Sequence, residues 1–199
     1  MNLAVFWLLA GSYLLGAIPF GYLIGRLWGV DVRKTGSGNI GATNVLRAVG
    51  KGPAAATLFL DSAKGFLPVF LARQVLGLPP HWVIATGIAG VIGHSFPVFL
   101  GFKGGKGVAT GFGVLIGINW VLALVLFLIF FAVLATSRIV SLSSLTAAAA
   151  LPFLIWHLTS HSSQYLTFGL AITLFIFTLH RKNIKRLLSG KEPRVEWKR

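Results

Sequence analysis

Long uncharged runs separated by short basic segments set the pattern of this chain. Leu3 to Gly25 is 23 residues without a charge. At about 1.5 Å per residue, such a run crosses the roughly 30 Å hydrocarbon core of a bilayer as one helix. Its start, Met1-Asn2-Leu3, lacks the basic segment of a secretion signal, so a retained first span is expected. Gly16, Pro19 and Gly21 are expected to bend it or to admit a close neighbour. A polar stretch, Arg26 to Gly52, follows. Pro53 opens a second run that reaches about Leu76, Pro79-Pro80 marks a turn, and a third run goes from Trp82 to Leu100.

The 28 uncharged residues Val108 to Ala135 are long for one span and short for two. Val140 to Leu179 reads as a hairpin of two spans around the polar patch His157 to Ser163. Charge decides the parity. Eighteen Lys and Arg stand against four Asp and Glu. Lys and Arg favour the cytoplasmic side of a membrane. The Arg26–Lys51 loop and the tail from His180 fall on one side only if residues 108–135 form a short helix and a full one. The expected fold is therefore all-α and polytopic, with about seven transmembrane helices, one of them short. The N-terminus lies outside and the C-terminus in the cytoplasm. The spans run roughly over 3–25, 53–76, 82–100, 108–118, 119–136, 140–156 and 164–180, within one integral membrane domain, 1–199. This arrangement puts 16 of the 18 basic residues inside.

Composition agrees with the pattern. Hydrophobic residues make up 55% and charged residues 11%, with a mean hydropathy of +0.81. Soluble domains carry roughly 25% charged residues, so a soluble enzyme, a disordered chain and a fibrous repeat are all disfavoured. No cysteine is present, which removes disulfides, zinc-thiolate sites and thiol catalysis. The net charge of +14 is accounted for mainly by orientation in the membrane, and no nucleic-acid partner is expected.

Three polar clusters stand out against this background. In Gly36-Ser-Gly-Asn-Ile-Gly-Ala-Thr-Asn-Val-Leu-Arg47, glycines let backbone N–H groups turn toward a ligand. Ser37, Asn39, Thr43 and Asn44 offer neutral hydrogen bonds, and Arg47 a bidentate donor. The same residues suit a glycine-rich turn and a short helix, Ala42 to Val49, with Arg47 in water; both remain open. The second cluster runs from His94 to Thr110. Its Gly104-Gly105-Lys106-Gly107 precedes an apolar helix, where exposed N–H groups and the helix dipole favour an anion. Lys103 and Lys106 add charge. It is not a nucleotide-binding P-loop, because Leu100 and Gly107 occupy positions that need Gly and Ser or Thr. The third, His180 to Glu192, suits a basic tail on anionic lipid. In it His180 and Asn183, at i and i+3, can point the same way.

Asp61 and Lys64, also at i and i+3, are costly inside a span and are expected to pair. Arg138 and Ser141 sit at another inner membrane edge. All three clusters are expected on the same face. They supply many phosphate ligands and few bases. No carboxylate pair suits glycoside chemistry, and no acidic patch suits Mg²⁺, so no metal or cofactor is expected. No histidine has an acid five positions on.

GSGNIGATNVLR at 36–47, GHSFPVFLGFKGGKGVAT at 93–110 and HRKNIKRLLSGKE at 180–192 closely resemble the three motifs of the bacterial acyl-phosphate:glycerol-3-phosphate acyltransferases, the PlsY family. The resemblance covers the chain, its length and its hydropathy. It implies a multi-pass protein of the bacterial inner membrane with its active site on the cytoplasmic side. The implied reaction transfers a fatty acyl group from acyl phosphate to the 1-hydroxyl of sn-glycerol 3-phosphate. The products are lysophosphatidic acid and inorganic phosphate, in the first acylation of phospholipid biosynthesis. Acyl-CoA is not the implied donor, in keeping with the missing His-x4-Asp pair.

The resemblance also implies roles for residues. Ser37, Arg47, His180 and Asn183 are the expected catalytic residues. Gly104, Gly105, Lys106 and Gly107 form the glycerol-phosphate loop. Asn39, Thr43, Asn44, Lys103, Arg138 and Ser141 join the expected substrate contacts. Asp61, Lys64, His94 and Glu192 are expected to be structural near the site. His180 is the available general base, and proton transfer to a substrate phosphate is an equal alternative. The partners implied are acyl phosphate, glycerol 3-phosphate and membrane lipid, with no protein partner. An organic-phosphate transporter or anion channel is the alternative class. It calls for polar residues through the spans and a matching outer cluster, whereas the outer patches Gln74–His81 and His157–Ser163 are short.

Overall fold

The computed structural model describes residues 3–195, and among these all regular structure is helical. Lys198 and Arg199 of the basic tail lie outside the described residues. Ten α-helices follow in order: α1 Leu3–Ala17, α2 Phe20–Leu27, α3 Ala42–Ala48, α4 Lys51–Phe70, α5 Pro80–Ser95, α6 Val108–Ile118, α7 Trp120–Ser137, α8 Val140–Leu158, α9 Ser163–Leu179 and α10 Arg181–Leu188. Helix α4 runs on through a π-turn, Leu71–Val75, and α5 is followed by a 3₁₀ turn, Val98–Leu100.

Five stretches are long and apolar enough to cross a membrane: Leu3–Leu27, Lys51–Val75, Pro80–Leu100, Trp120–Ser137 and Val140–Leu158. Helices α9 and α10 are bent by 65° at the break between them and make a sixth if the pair is counted as one span. Helix α6, with 11 residues, is the short apolar helix. At about 1.5 Å per residue it spans only about half of a bilayer core. The chain is an integral membrane protein with an inside-out distribution of polarity. Phe59 and Phe153 are more than 70% exposed, while Asp61, Lys64 and Thr110 are buried. Apolar surface turned to lipid carries no penalty, whereas buried polar groups are retained for packing or chemistry.

The fold divides into two compact units, one ending at Ile118 and the other beginning at Asn119. In the first unit, the run from Leu3 breaks at Ile18–Pro19. Proline lacks an N–H and forces its predecessor out of the helical region. The break leaves the Ile18 carbonyl to a side chain, and Lys64 Nζ donates to it at 2.7 Å.

Close approach between helices in this unit depends on small residues. A Cβ on Gly16 would overlap the Gly90 backbone where α1 meets α5, and one on Gly113 would overlap the Ser62 carbonyl where α6 meets α4. Ser12 Oγ, donating to the Thr86 carbonyl at 2.7 Å, pins α1 to α5.

In the second unit, Asn119 caps α7. Its side chain accepts from the N–H groups of Val121 and Leu122 and donates to the Leu158 carbonyl at 2.9 Å. Arg138, at φ 60, makes the left-handed turn between α7 and α8. Thr173 Oγ1 donates to the Ala148 carbonyl at 2.7 Å, joining α9 to α8.

Candidate active site

The segment before α3 folds around one carboxamide. Asn44 is buried. Its Nδ2 donates to the carbonyls of Val32 at 2.8 Å and Thr35 at 3.1 Å, and its Oδ1 accepts from the Ser37 N–H at 2.9 Å. Gly36 and Gly38 take φ of 56° and 70°, a region open to glycine at little cost. A Cβ at Gly36 would overlap Asn44 Oδ1. Asn39 Oδ1 accepts from the Gly41 N–H at 2.8 Å, closing a turn ahead of α3. Ser37, between the two left-handed glycines, is thereby held exposed, and Arg47 is exposed on the last turn of α3. Thr43 is half-buried on the same helix. Asn44, expected to contact substrate, spends its amide on the loop.

Beneath the loop, Val32, Ile40, Val45 and Ala54 form an apolar cluster against which Tyr22 and Leu100 pack. Leu100 belongs to the second motif, so the two motifs share a base within this unit. On the rim, Arg33 forks onto Asp31 at 2.8 and 2.9 Å and stacks over the Tyr22 ring at 4.3 Å. The hydrogen bond from Arg33 holds the Asp31 carboxyl at a pKa of about 2, and the same pairing raises that of Arg33.

The Gly104–Gly107 segment doubles back on the end of α5. The Gly104 N–H donates to the Ser95 carbonyl and the Gly105 N–H to the His94 carbonyl, both at 3.1 Å. These two amides shape the loop and do not face outward for an anion. The donors left to the site are those of the first turn of α6, which no carbonyl of that helix can satisfy. Gly107, at φ 75, turns the chain into α6 and accepts the first helical bond, from Gly111. Lys103 is exposed and Lys106 half-buried.

Buried polar groups gather below this loop. Asp61 Oδ1 is 2.8 Å from Lys64 Nζ and 3.6 Å from His94 Nδ1. Lys64 also lies 5.5 Å from the Phe20 ring centre, so its charge does not snorkel to the surface. Among the described residues, Ser95 Oγ and Thr110 Oγ1 are buried with no hydrogen-bond partner, and His94 Nδ1 has the Asp61 contact at 3.6 Å. An unsatisfied buried group costs about 1–3 kcal/mol, so such a gathering at one helix junction makes it a candidate functional region. Ser95 and Thr110 were not assigned from the sequence. Their presence inside the second motif was the available signal.

In the second unit, α9 ends at Leu179 and α10 begins at Arg181, with His180 between them. His180 is buried at the bend, with Nδ1 2.8 Å from the Ile176 carbonyl. A carbonyl only accepts, so Nδ1 carries the proton in that contact.

Glu192 gathers three donors: Ser141 Oγ at 2.7 Å, Arg186 Nε at 2.6 Å and Asn183 Nδ2. Burial opposes its charge, but the hydrogen bonds from Arg186, Ser141 and Asn183 outweigh it, and its pKa is held below the ordinary glutamate value. The Val195 N–H donates to the Arg138 carbonyl at 2.7 Å, completing a strap from the tail onto the α7–α8 turn. Arg138 itself is exposed. The structure thus joins Ser141, Asn183 and Glu192 in one network, which the sequence had left as separate candidates.

A loop with two lysines at a helix start, beside an exposed serine and arginine, can bind a phosphate ester and orient a hydroxyl. Comparison with known proteins agrees. The family model described as glycerol-3-phosphate acyltransferase matches residues 6–190. The chain is similar to the glycerol-3-phosphate acyltransferase of Synechococcus sp. (strain JA-3-3Ab), 51% identical over 93% of this chain and 90% of the relative. It is also similar to the crystal structure of PlsY (YgiH), an integral membrane glycerol 3-phosphate acyltransferase, in its glycerol 3-phosphate form. There the TM-score is 0.92, with 43% identity over 97% of this chain and 96% of the other. The lysophosphatidic acid form of PlsY superposes with a TM-score of 0.89 at 42% identity, again over 97% and 96%.

Proposed function

The chain belongs to the glycerol-3-phosphate acyltransferase family, and from that premise we propose that it acylates the 1-hydroxyl of sn-glycerol 3-phosphate with acyl phosphate as donor. The products are 1-acyl-sn-glycerol 3-phosphate and inorganic phosphate, in the first acylation of bacterial phospholipid synthesis. The site works at the cytoplasmic face of the inner membrane, with the acyl chain among lipid-facing helices. The observation that carries this is the glycine- and lysine-bearing loop locked onto the end of α5 at the start of α6. The binding of glycerol 3-phosphate by the PlsY relative supports it.

Acyl phosphate is a mixed anhydride, so its leaving group is already good. The substrate hydroxyl must be held about 3–3.5 Å from the carbonyl carbon. Its oxygen forms the new ester bond, the bond from the carbonyl carbon to the phosphate oxygen breaks, and the hydroxyl proton ends on the departing phosphate. His180 relays that proton as general base; direct transfer to the phosphate is the equal alternative. Arg47, Lys103 and Lys106 stabilise charge on the carbonyl oxygen and the phosphates. Ser37, Asn39 and Thr43 orient the glycerol end, with Gly104, Gly105 and Gly107 shaping the loop beneath it. Asn44 acts through the Ser37 loop it holds. Asn183 and Ser141, with Arg138 beside them, supply polar contacts that Glu192 keeps in place.

Purified protein given glycerol 3-phosphate with either acyl phosphate or acyl-CoA, without added metal, tests the donor. Turnover from acyl phosphate alone is expected. Turnover only with acyl-CoA, or only after Mg²⁺ is added, would contradict the proposal.

A further inference from the structure

We infer that His94 is a positioning residue for the Gly104–Gly107 loop, its ring fixed by the buried Asp61–Lys64 pair; this rests on the reading of that loop as the glycerol-phosphate end of the site. His94 is buried at the last turn of α5. One side of its imidazole faces α4, where Asp61 Oδ1 lies 3.6 Å from Nδ1. The other side lies against the loop, where a Cβ on Gly105 would overlap Nε2 and the carbons beside it. Gly105 is therefore glycine because of the ring.

The loop cannot slide along this wall, because the Gly104 and Gly105 N–H groups are bonded to the Ser95 and His94 carbonyls. Gly107 is seated the same way, since a Cβ there would lie 3.0 Å from Val91 and 3.3 Å from Ser95 Oγ. The ring in turn is held from behind. Asp61 is ion-paired at 2.8 Å to Lys64, which is bonded to the Ile18 carbonyl at the break between α1 and α2. A chain of contacts thus runs from that break through α4 and α5 to the loop that carries Lys106. The imidazole touches no substrate in this scheme. It sets where Lys106 and the first turn of α6 stand.

A double-mutant cycle on the full chain in detergent tests this, using neutral substitutions that leave the Asp61–Lys64 pair intact. His94→Ala and Gly105→Ala should each raise KM for glycerol 3-phosphate about tenfold, with KM for a long-chain acyl phosphate changed less than about twofold. The double variant should also stay near about tenfold, because a Cβ at position 105 does harm only while the ring is there. A product of about hundredfold, or a parallel rise in both KM values, overturns the inference. Should His94→Ala fail to fold, Gly105→Ala decides alone, and a wild-type KM for glycerol 3-phosphate in that variant overturns the inference. If the wild type shows no turnover from acyl phosphate, the proposed reaction fails separately. The cycle is then read as glycerol 3-phosphate binding by calorimetry, where non-additivity supports the positioning role and additivity removes it.

Discussion

Arg47 stands exposed at the end of a seven-residue helix whose start is organised by Asn39 and Asn44. Its guanidinium is exposed, so its removal is expected to act on chemistry more than on stability. Arg47→Ala is expected to lower kcat/KM by at least about a hundredfold, the scale of losing one charge-stabilising donor, with thermal unfolding unchanged. His180 differs, being buried with Nδ1 committed to the Ile176 carbonyl. If Nε2 takes the proton, His180→Ala should cost about 10²–10⁴ in rate and remove the acid limb of the pH–rate profile. A near-normal rate at every pH would assign the proton to the substrate phosphate.

Glu192 is a residue of stability. Its folded pKa lies below the ordinary 4.5, so its contribution is complete above that pH and is lost as pH falls from there through the folded value. The unfolding temperature of the wild type should drop over that window, and Glu192→Gln should flatten the drop. With Arg186 partly in water, the Gln variant should cost about 1–3 kcal/mol at neutral pH, from two or three weakened hydrogen bonds.

At the scale of elements, helix contacts set by glycine are the sensitive points. Gly113 brings α6 against the Ser62 carbonyl, and Gly65 brings α4 against the Thr110 carbonyl. Helix α6 is too short to gain much from lipid and holds its place by these contacts. Gly113→Val is expected to destabilise by about 1–3 kcal/mol or more, and to raise KM for glycerol 3-phosphate because the start of α6 moves with it. Thermal unfolding and steady-state kinetics on one preparation read both effects. A variant with wild-type melting and wild-type KM would show that α6 is not held this way.

At the scale of the whole molecule, the charge pattern predicts orientation. The absence of cysteine makes this direct to measure, since any introduced thiol is the sole label site. Lys51 and His81 are both exposed; Lys51 starts the Lys51–Val75 stretch and His81 lies beyond its other end. With the first basic loop cytoplasmic, His81→Cys should react with a membrane-impermeant maleimide in intact cells. Lys51→Cys should react only after permeabilisation. The reverse pattern would invert the topology.

Helical class and the membrane environment were legible from the sequence because hydropathy is local: twenty apolar residues in a row have few other fates. The family was legible because its motifs are contiguous runs of unusual residues. Within the site, the broken first span was foreshadowed by Pro19, a local signal. The Lys64 bond to Ile18 was not, because 46 residues separate the partners. Asn44 reads as a substrate contact in one dimension, since a carboxamide in a glycine-rich run looks available. Only the folded loop brings Val32, Thr35 and Ser37 onto it and uses it up. Gly105 reads as a ligand-binding glycine in the same way, until its N–H meets the His94 carbonyl.

The sequence by itself determined which segments enter the bilayer and which residue types are on hand for phosphate chemistry, because both depend on composition within a short window. Tertiary structure alone decided which of those polar groups are consumed in holding loops and which keep a donor or lone pair for another task. Hydrogen-bond capacity is finite, and how it is spent depends on partners that folding, and not adjacency, supplies.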